Sequence, residues 1–288
     1  MAKPKTSLEK KIISLSVIGR DRTGVIAAFT NLLFQEGANI EALAEEVRRG
    51  QFSMTLQASW TRKRFNEKRV RAEIQNLSAS LKMDTTLRVL SANRRQRLAI
   101  FVTRESHCLE GLLKAKLPCT PAVVVGNRPD LAPLAKKHGL PFVHLPWTDV
   151  QKTAQDLKKI LEDHEVDFIV LARFMRILSP SFVWRWKNKI INIHPSLLPA
   201  FPGASAYRQA FEKGVRVVGV TAHIVTPDLD QGPILDQAAF RSAPHWSLPE
   251  IVTRGQKLET KVLVSAVRLF LQHRFDIYWG KVHLPQPE

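Results

Sequence analysis

LAIFVT (98–103), PAVVVG (121–126), PFVHL (141–145), VDFIVLA (166–172) and KIINIH (189–194) are short apolar runs, separated by longer stretches of mixed polarity. Each is long enough for one buried strand and too short for a helix of ordinary length. The intervening stretches, above all 149–164, carry helical patterns, so strand and helix alternate. That alternation predicts a mostly parallel sheet covered by helices on both faces, a doubly wound, Rossmann-like α/β domain. Farther along, residues 216–226 and 233–240 flank DLDQGP and read as a hairpin with a long turn. A helix from about 247 to 272 closes the domain, with Leu258, Val262, Val264, Val267 and Leu271 expected on its apolar side.

Moving upstream, SANRRQR (91–97) changes composition sharply and marks a domain boundary. Before it the pattern differs. KIISLSVI (11–18) alternates and is β-branched, as a strand should be. After the turn GRDRTG (19–24), Val25, Ile26, Phe29, Leu32 and Leu33 recur with helical period, and Gly37 ends that helix. Two strands around Arg49-Gly50, a helix near 67–82 and a strand near 83–90 complete a βαββαβ, ferredoxin-like unit. The expected organisation is a basic tail (1–10), a front domain (11–91), a linker (92–97) and a back domain (98–288).

The bulk properties agree with two globular domains in 288 residues, at 44% hydrophobic and 24% charged content. Two cysteines, Cys108 and Cys119, suggest no disulfide framework, and without a CxxC pair or histidines at ligand spacing no metal site is expected. No apolar run reaches the roughly 18 residues of a membrane span, and no signal-peptide core follows the basic start, so a cytoplasmic protein with no membrane partner is expected. The net charge of +17 is distinctive. Residues 1–94 hold 17 Lys and Arg against 9 Asp and Glu, and the remainder holds 26 against 17, so the excess is spread over both parts. A charge so evenly spread favours anionic small molecules over a dedicated nucleic-acid arm, and no specific nucleic-acid partner is expected.

Chemistry concentrates in NIHPSLLPAFPGASAY (192–207) and TAHIVTPDLDQGPILDQ (221–237). Asn192 and His194 stand at i and i+2 where an apolar strand ends, so both side chains point to one face. Strand C-terminal ends are where open α/β sheets bind ligands. Pro195, Pro199 and Pro202 stiffen the loop that follows. Asp230 sits in the DLDQG turn, within reach of the same mouth. An amide, an imidazole and a carboxylate suit attack on a carbonyl, with the first two stabilising an oxyanion and the third tuning the imidazole or accepting the nucleophile's proton. No Ser or Cys stands in a nucleophile-elbow context, so no acyl-enzyme is suggested. Taken singly, Asp230 is an ordinary turn residue and His223 a satisfied core histidine.

LARFMRILSPSFV (171–183), NIHPSLLP (192–199) and HIVTPDLDQGPIL (223–235), in this order, resemble the family of enzymes that use 10-formyltetrahydrofolate as formyl donor. The resemblance implies that Asn192, His194 and Asp230 are the catalytic trio, with Asp230 keeping His194 protonated so that it can polarise the formyl oxygen. It further implies that Met175, Arg176, Ile177 and Leu178 line a pterin pocket, with His223, Val225, Thr226, Pro227 and Asp228 on the opposite wall. Folate would be the substrate, so no cofactor is expected.

SVIGRDRTGVIAAFTNLLFQEGANI (16–40) resembles the ACT regulatory domain. An ACT domain ahead of a formyltransferase domain is similar to the arrangement of the formyltetrahydrofolate deformylases. That likeness implies water as acceptor, giving formate and tetrahydrofolate, with formate feeding purine synthesis and the one-carbon folate pools kept in balance. The loop TRESHCLEG (103–111) lacks the glycines that would cradle a nucleotide phosphate, although Arg104 and His107 could meet an anion. Two positions depart from the deformylase pattern: Pro195 stands where a second histidine is usual, and Ser205 where a loop lysine is usual. Transfer to a small amine and a non-catalytic folate or amino-acid sensor remain as alternatives. An amino-acid effector is expected to contact Gly19, Asp21, Gly24 or Asn39 if one binds, and homo-oligomerisation is expected through the front domain.

Overall fold

The computed structural model describes residues 10–284 apart from 49, 62–64, 91–93, 273–274 and 279. The basic tail up to residue 9 and residues 92–93 of the linker therefore lie outside the described residues. The chain divides into two compact units between Arg94 and Arg95.

The front unit runs β1 (Lys10–Arg20), α1 (Val25–Gln35), β2 (Asn39–Arg48), β3 (Gln51–Thr61), α2 (Glu67–Leu81) and β4 (Asp84–Leu90). Its sheet is antiparallel at β1–β3, β1–β4 and β2–β3, in the order β2-β3-β1-β4. Alternate residues of β1 (Ile13, Leu15, Val17) pack with Val25, Phe29 and Leu33 of α1 and with Val70 and Ile74 of α2. Ile26, expected on the buried stripe, is instead 37% exposed. Gly37 does end α1: at φ 76° it lets its own N–H and that of Ala38 turn back to the Phe34 and Leu33 carbonyls.

The back unit continues β5 (Gln96–Val102), α3 (His107–Lys114), β6 (Cys119–Gly126), α4 (Ala132–Lys137), β7 (Phe142–His144), α5 (Val150–Asp163), β8 (Phe168–Ala172), α6 (Pro180–Arg185), β9 (Ile190–His194), α7 (Ala206–Glu212), β10 (Val217–Ile224), β11 (Ile234–Arg241) and α8 (Leu248–Leu271). A two-stranded hairpin, β12 (Asp276–Tyr278) and β13 (Lys281–His283), follows. The seven-stranded sheet has the order β11-β10-β9-β8-β5-β6-β7. β5 through β9 are parallel, and β10 and β11 form an antiparallel edge.

Because β5 to β7 build outward in one direction and β8 to β9 in the other, the strand order reverses between β5 and β8. The carboxyl ends of strands at such a reversal part to leave a crevice. The strands are apolar on both faces: Leu98, Ile100 and Val102 pack under α3 and α8, while Ala99 and Phe101 pack under α5 and α6.

The buried stripe of α8 is Ile251, Gly255, Glu259, Val262, Leu263, Ala266, Val267 and Phe270. Of the expected stripe, Val262 and Val267 are buried, whereas Leu258, Val264 and Leu271 are only partly so. The stripe is rotated because its first half faces a tyrosine and a polar cluster, described below, in place of aliphatic side chains.

Two loops at the carboxyl edge are held firmly. In the loop after β9, the Leu198 N–H donates to Thr221 Oγ1 at 3.0 Å, and the Gln237 amide donates to the Leu198 carbonyl at 3.1 Å. The loop between β10 and β11 crosses so close to its own strand that a Cβ at Gly232 would lie 1.7 Å from the Ile224 carbonyl oxygen. Gly232→Ala is therefore expected to cost at least about 1–3 kcal/mol of stability, since backbone cannot yield as a side chain can. Urea unfolding of the variant beside the parent measures this.

Candidate active site

A cavity of about 560 Å³ opens at the reversal point, in the size range of small-molecule sites. Asn192, His194 and Asp230 all line it. β9 places the first two on one face, since residues two apart on a strand point the same way. Asp230 arrives from the β10–β11 loop with a left-handed backbone (φ 55°), a conformation that Asp tolerates better than most residues. Arg173, Phe201 and Ser205, also around this mouth, have positive φ as well. Such clustering of unusual backbone is common where a fold holds a site in place.

The carboxylate of Asp230 is nearly sealed from solvent, with its side chain 6% exposed. Its Oδ2 lies 3.4 Å from His194 Nδ1 and accepts the Gly203 N–H at 2.8 Å, and its Oδ1 lies 3.7 Å from His223 Nε2. Burial would raise the pKa of Asp230, but the His223 contact, the Gly203 N–H and the positive charge available on both imidazoles outweigh it. The net shift is downward. Asp230 therefore remains ionised.

Both imidazoles are pinned from behind. His194 Nε2 lies 2.9 Å from the Phe201 carbonyl and His223 Nδ1 lies 2.9 Å from the Ile224 carbonyl. A carbonyl only accepts, so each of those nitrogens carries its proton. The nitrogen at which each ring can gain a proton is consequently the one facing Asp230. Burial is the largest influence on His194 and drives its pKa below the ordinary value; the Phe201 carbonyl and Asp230 pull the other way without overcoming it. This corrects the expectation that Asp230 keeps His194 protonated: at neutral pH the resting ring is neutral, because desolvating the imidazolium costs more than the carboxylate returns.

His223 is more than part of a folate wall. From the neighbouring strand it reaches 3.2 Å from the Asn192 amide nitrogen and faces the same carboxylate. A second imidazole is thus present although Pro195 occupies the position after His194. Met175, Arg176, Ile177 and Leu178 line the cavity from the β8–α6 loop, opposite Val225, Thr226 and Pro227. The Met175 N–H donates to Thr103 Oγ1 at 2.9 Å, and the Asn127 amide, turned so that its oxygen accepts from Arg176 Nε at 3.1 Å, steadies the next residue. Asp228 does not line the cavity; its carbonyl instead accepts the Thr226 hydroxyl at 3.1 Å within the turn.

Four further residues, unremarked in the sequence, border or back the cavity: Glu105, Arg173, Tyr207 and Glu259. Glu259 is completely buried on α8. It accepts the Tyr207 hydroxyl at 2.7 Å, lies 3.0 Å from His107 Nε2 and 3.5 Å from Arg173 Nε. His107, expected to be open to an anion, is occupied by this carboxylate, and Arg104 pairs with Asp130 at 3.7 Å. Cys108 lies beside His107 and Glu259, so three side chains of metal-ligating type do come together, contrary to the sequence reading. The Arg173 guanidinium already faces that carboxylate, and burial followed by the Glu259 charge pushes the Cys108 thiol well up, which opposes thiolate ligation. The Cys119 thiol is likewise pushed up by burial, to about 11.

In the front unit, Gly19 lies within β1 against Met83, the Asp21 N–H donates to the Gly50 carbonyl at 2.9 Å, Gly24 begins α1 at φ 87° and Asn39 opens β2. None of the four lines the cavity between α1 and α2. Among the described residues no helix is long and apolar enough to cross a membrane.

Residues 82–267 match the formyl transferase family, and residues 11–88 match the ACT domain family. A protein of Synechocystis sp. named formyltetrahydrofolate deformylase is 33% identical over 264 residues, covering 90% of this chain and 93% of that protein. This chain belongs to the formyltetrahydrofolate deformylase family. The crystal structure of the deformylase from Pseudomonas syringae pv. tomato is similar with a TM-score of 0.64 at 28% identity, over 98% of this chain and 96% of that one. The glycinamide ribonucleotide transformylase 1 of Symbiobacterium toebii has the same TM-score at 31% identity, but spans 67% of this chain against 95% of its own. The deformylase likeness thus extends through the ACT unit, and the transformylase likeness does not.

The pKa of His194 gives a test by pH. If neutral His194 is the working form, activity falls as pH drops through a value below the ordinary 6.5. In Asp230→Asn, which removes a charge that raises the His194 pKa, this acid limb is expected at still lower pH, on top of a reduced rate. A limb that moves upward in Asp230→Asn contradicts the assignment.

Proposed function

We propose that this chain hydrolyses 10-formyltetrahydrofolate to formate and tetrahydrofolate in the back unit. The observation that carries the proposal is a buried, ionised Asp230 faced by two imidazoles whose far nitrogens are committed to backbone carbonyls. Such a pair can take one proton from water and hold it beside the reacting carbon.

The pterin would enter between the β8–α6 loop and residues 225–227, with the formyl carbon near His194 and Asn192. Water held by Asp230 and His194 attacks that carbon, and its proton passes to His194 Nδ1. The imidazolium so formed is stabilised by Asp230, and with the Asn192 amide it stabilises the oxyanion. When the C–N bond breaks, the proton goes from Nδ1 to the departing folate nitrogen, and formic acid loses its remaining acidic proton to solvent. No covalent enzyme intermediate is required. Because folate is the substrate, the step calls for no cofactor.

A multi-copy assembly is the second part of the proposal. β2 forms one edge of the front sheet and carries Ile40, Leu43 and Val47 at 37%, 39% and 48% exposure. An exposed apolar edge of this length favours pairing with another strand. A regulatory amino acid bound by the ACT unit would act through that assembly, and the soluble back-unit chemistry suits the cytoplasm.

His194→Ala and Asn192→Ala are each expected to slow formate release by about 10²–10³-fold, the usual effect of removing one such group. Folate binding, followed by quenching of intrinsic fluorescence, should change far less. Equal loss of binding and rate would assign these residues to substrate affinity and contradict the proposed roles.

A further inference from the structure

We infer that Glu105, Arg173 and Glu259 form a charge-compensated wall that confines the reaction to water by refusing phosphate-bearing acceptors, an inference that rests on the hydrolytic reading above. Glu105, Arg173 and Tyr207 border the same cavity as Asn192, His194 and Asp230, with Glu259 immediately behind them. The wall therefore stands where a second substrate would approach the formyl carbon.

Its charges are arranged against an anion. The start of α3, adjoining the end of β5, would ordinarily attract one through its free N–H groups. Here carboxylates surround that start. Glu105 precedes it, Glu110 accepts the Ser106 hydroxyl at 2.8 Å, and Glu259 takes up the side chain of His107. The Arg173 guanidinium, 16% exposed, is the cation of this wall and one of three arginines lining the cavity, with Arg176 and Arg208. It lies 3.8 Å from Glu105 and 3.5 Å from Glu259. Two carboxylates thus face the one guanidinium and leave it no unpaired charge to offer an anion.

The wall is also filled. A Cβ at Gly255 would lie 2.2 Å from the Tyr207 hydroxyl, so only a bare α-carbon there lets the phenol reach Glu259 one turn farther along α8. Tyr207 thereby occupies space on the acceptor side. Glu105 Oε2 and Arg173 Nε are buried without a hydrogen bond. A cluster serving only stability would gain from satisfying them or from being apolar. Their geometry instead suits mutual neutralisation at a fixed distance.

The probe is inorganic phosphate, titrated calorimetrically into the full-length protein, so that the result does not depend on turnover. Wild type is expected to show no saturable binding up to about 10 mM, whereas E105Q/E259Q, which frees Arg173, gains affinity by about tenfold or more. Adding R173M to that double variant should abolish the gain, which a purely structural role would not predict. E105Q alone, at a side chain 35% exposed, is the variant least able to disturb folding and should move in the same direction. Saturable phosphate binding by wild type that R173M removes would overturn the inference. So would folded E105Q and E105Q/E259Q proteins that bind phosphate no better than wild type. Formate release by wild type, measured separately, decides the hydrolytic reading itself: absence of formate with the phosphate pattern intact would leave only the exclusion of phosphate standing and would overturn the claim that the wall confines the reaction to water.

Discussion

The structure of the site depends on one buried negative charge. Asp230 is nearly sealed from solvent, and a carboxylate in that position is tolerable only if its oxygens are taken up by donors. The Gly203 N–H is such a donor, and two imidazoles able to take up a proton face the same carboxylate; the three come from different parts of the back unit, the loop after β9, β9 itself and β10. Holding that carboxylate therefore fixes the distance between loop and strands. It also explains why the β10–β11 loop must pass over Ile224 with a glycine at 232, since any bulk there would lift Asp230 away from both rings.

The same charge sets the proton chemistry. An isolated buried histidine would be neutral and inert, and an exposed ion pair would be fully protonated and already committed. His194 lies between these limits: burial lowers its pKa while Asp230 keeps the imidazolium accessible. A neutral ring that becomes charged during attack contributes most where charge develops, which is the condition for lowering a barrier. His223, held in the same way from the next strand, gives the carboxylate a second imidazole without requiring one beside His194 in sequence.

Much of this was legible in the chain, and the reasons are local. Apolar runs such as VDFIVLA and KIINIH are buried on both faces, so their strand character survives without knowledge of their neighbours. Asn192 and His194 share a face by strand periodicity alone. What escaped the reading depends on contacts between distant segments. His223 looked like a core histidine because its partners, Asn192 and Asp230, lie 31 residues before it and across a turn after it. Glu259 sits 152 residues from His107 and 52 from Tyr207. A signal for it existed, since a charged residue falls on the helical stripe running through Gly255, Val262 and Ala266. The aliphatic residues beside it, Leu258 and Val264, drew the stripe to the wrong side of the helix. The protonation of His194 was misjudged for a different reason: desolvation is a property of the fold, and no spacing of residues reports it.

The account stands on water being the acceptor, and the origin of the second oxygen in formate addresses that directly. Turnover of 10-formyltetrahydrofolate in ¹⁸O-enriched water, with no amine added, should yield formate carrying one ¹⁸O atom, detected by mass spectrometry at a rate proportional to enzyme. Formate that lacks the label, or a formyl group that leaves folate only when an amine is supplied, would contradict the account.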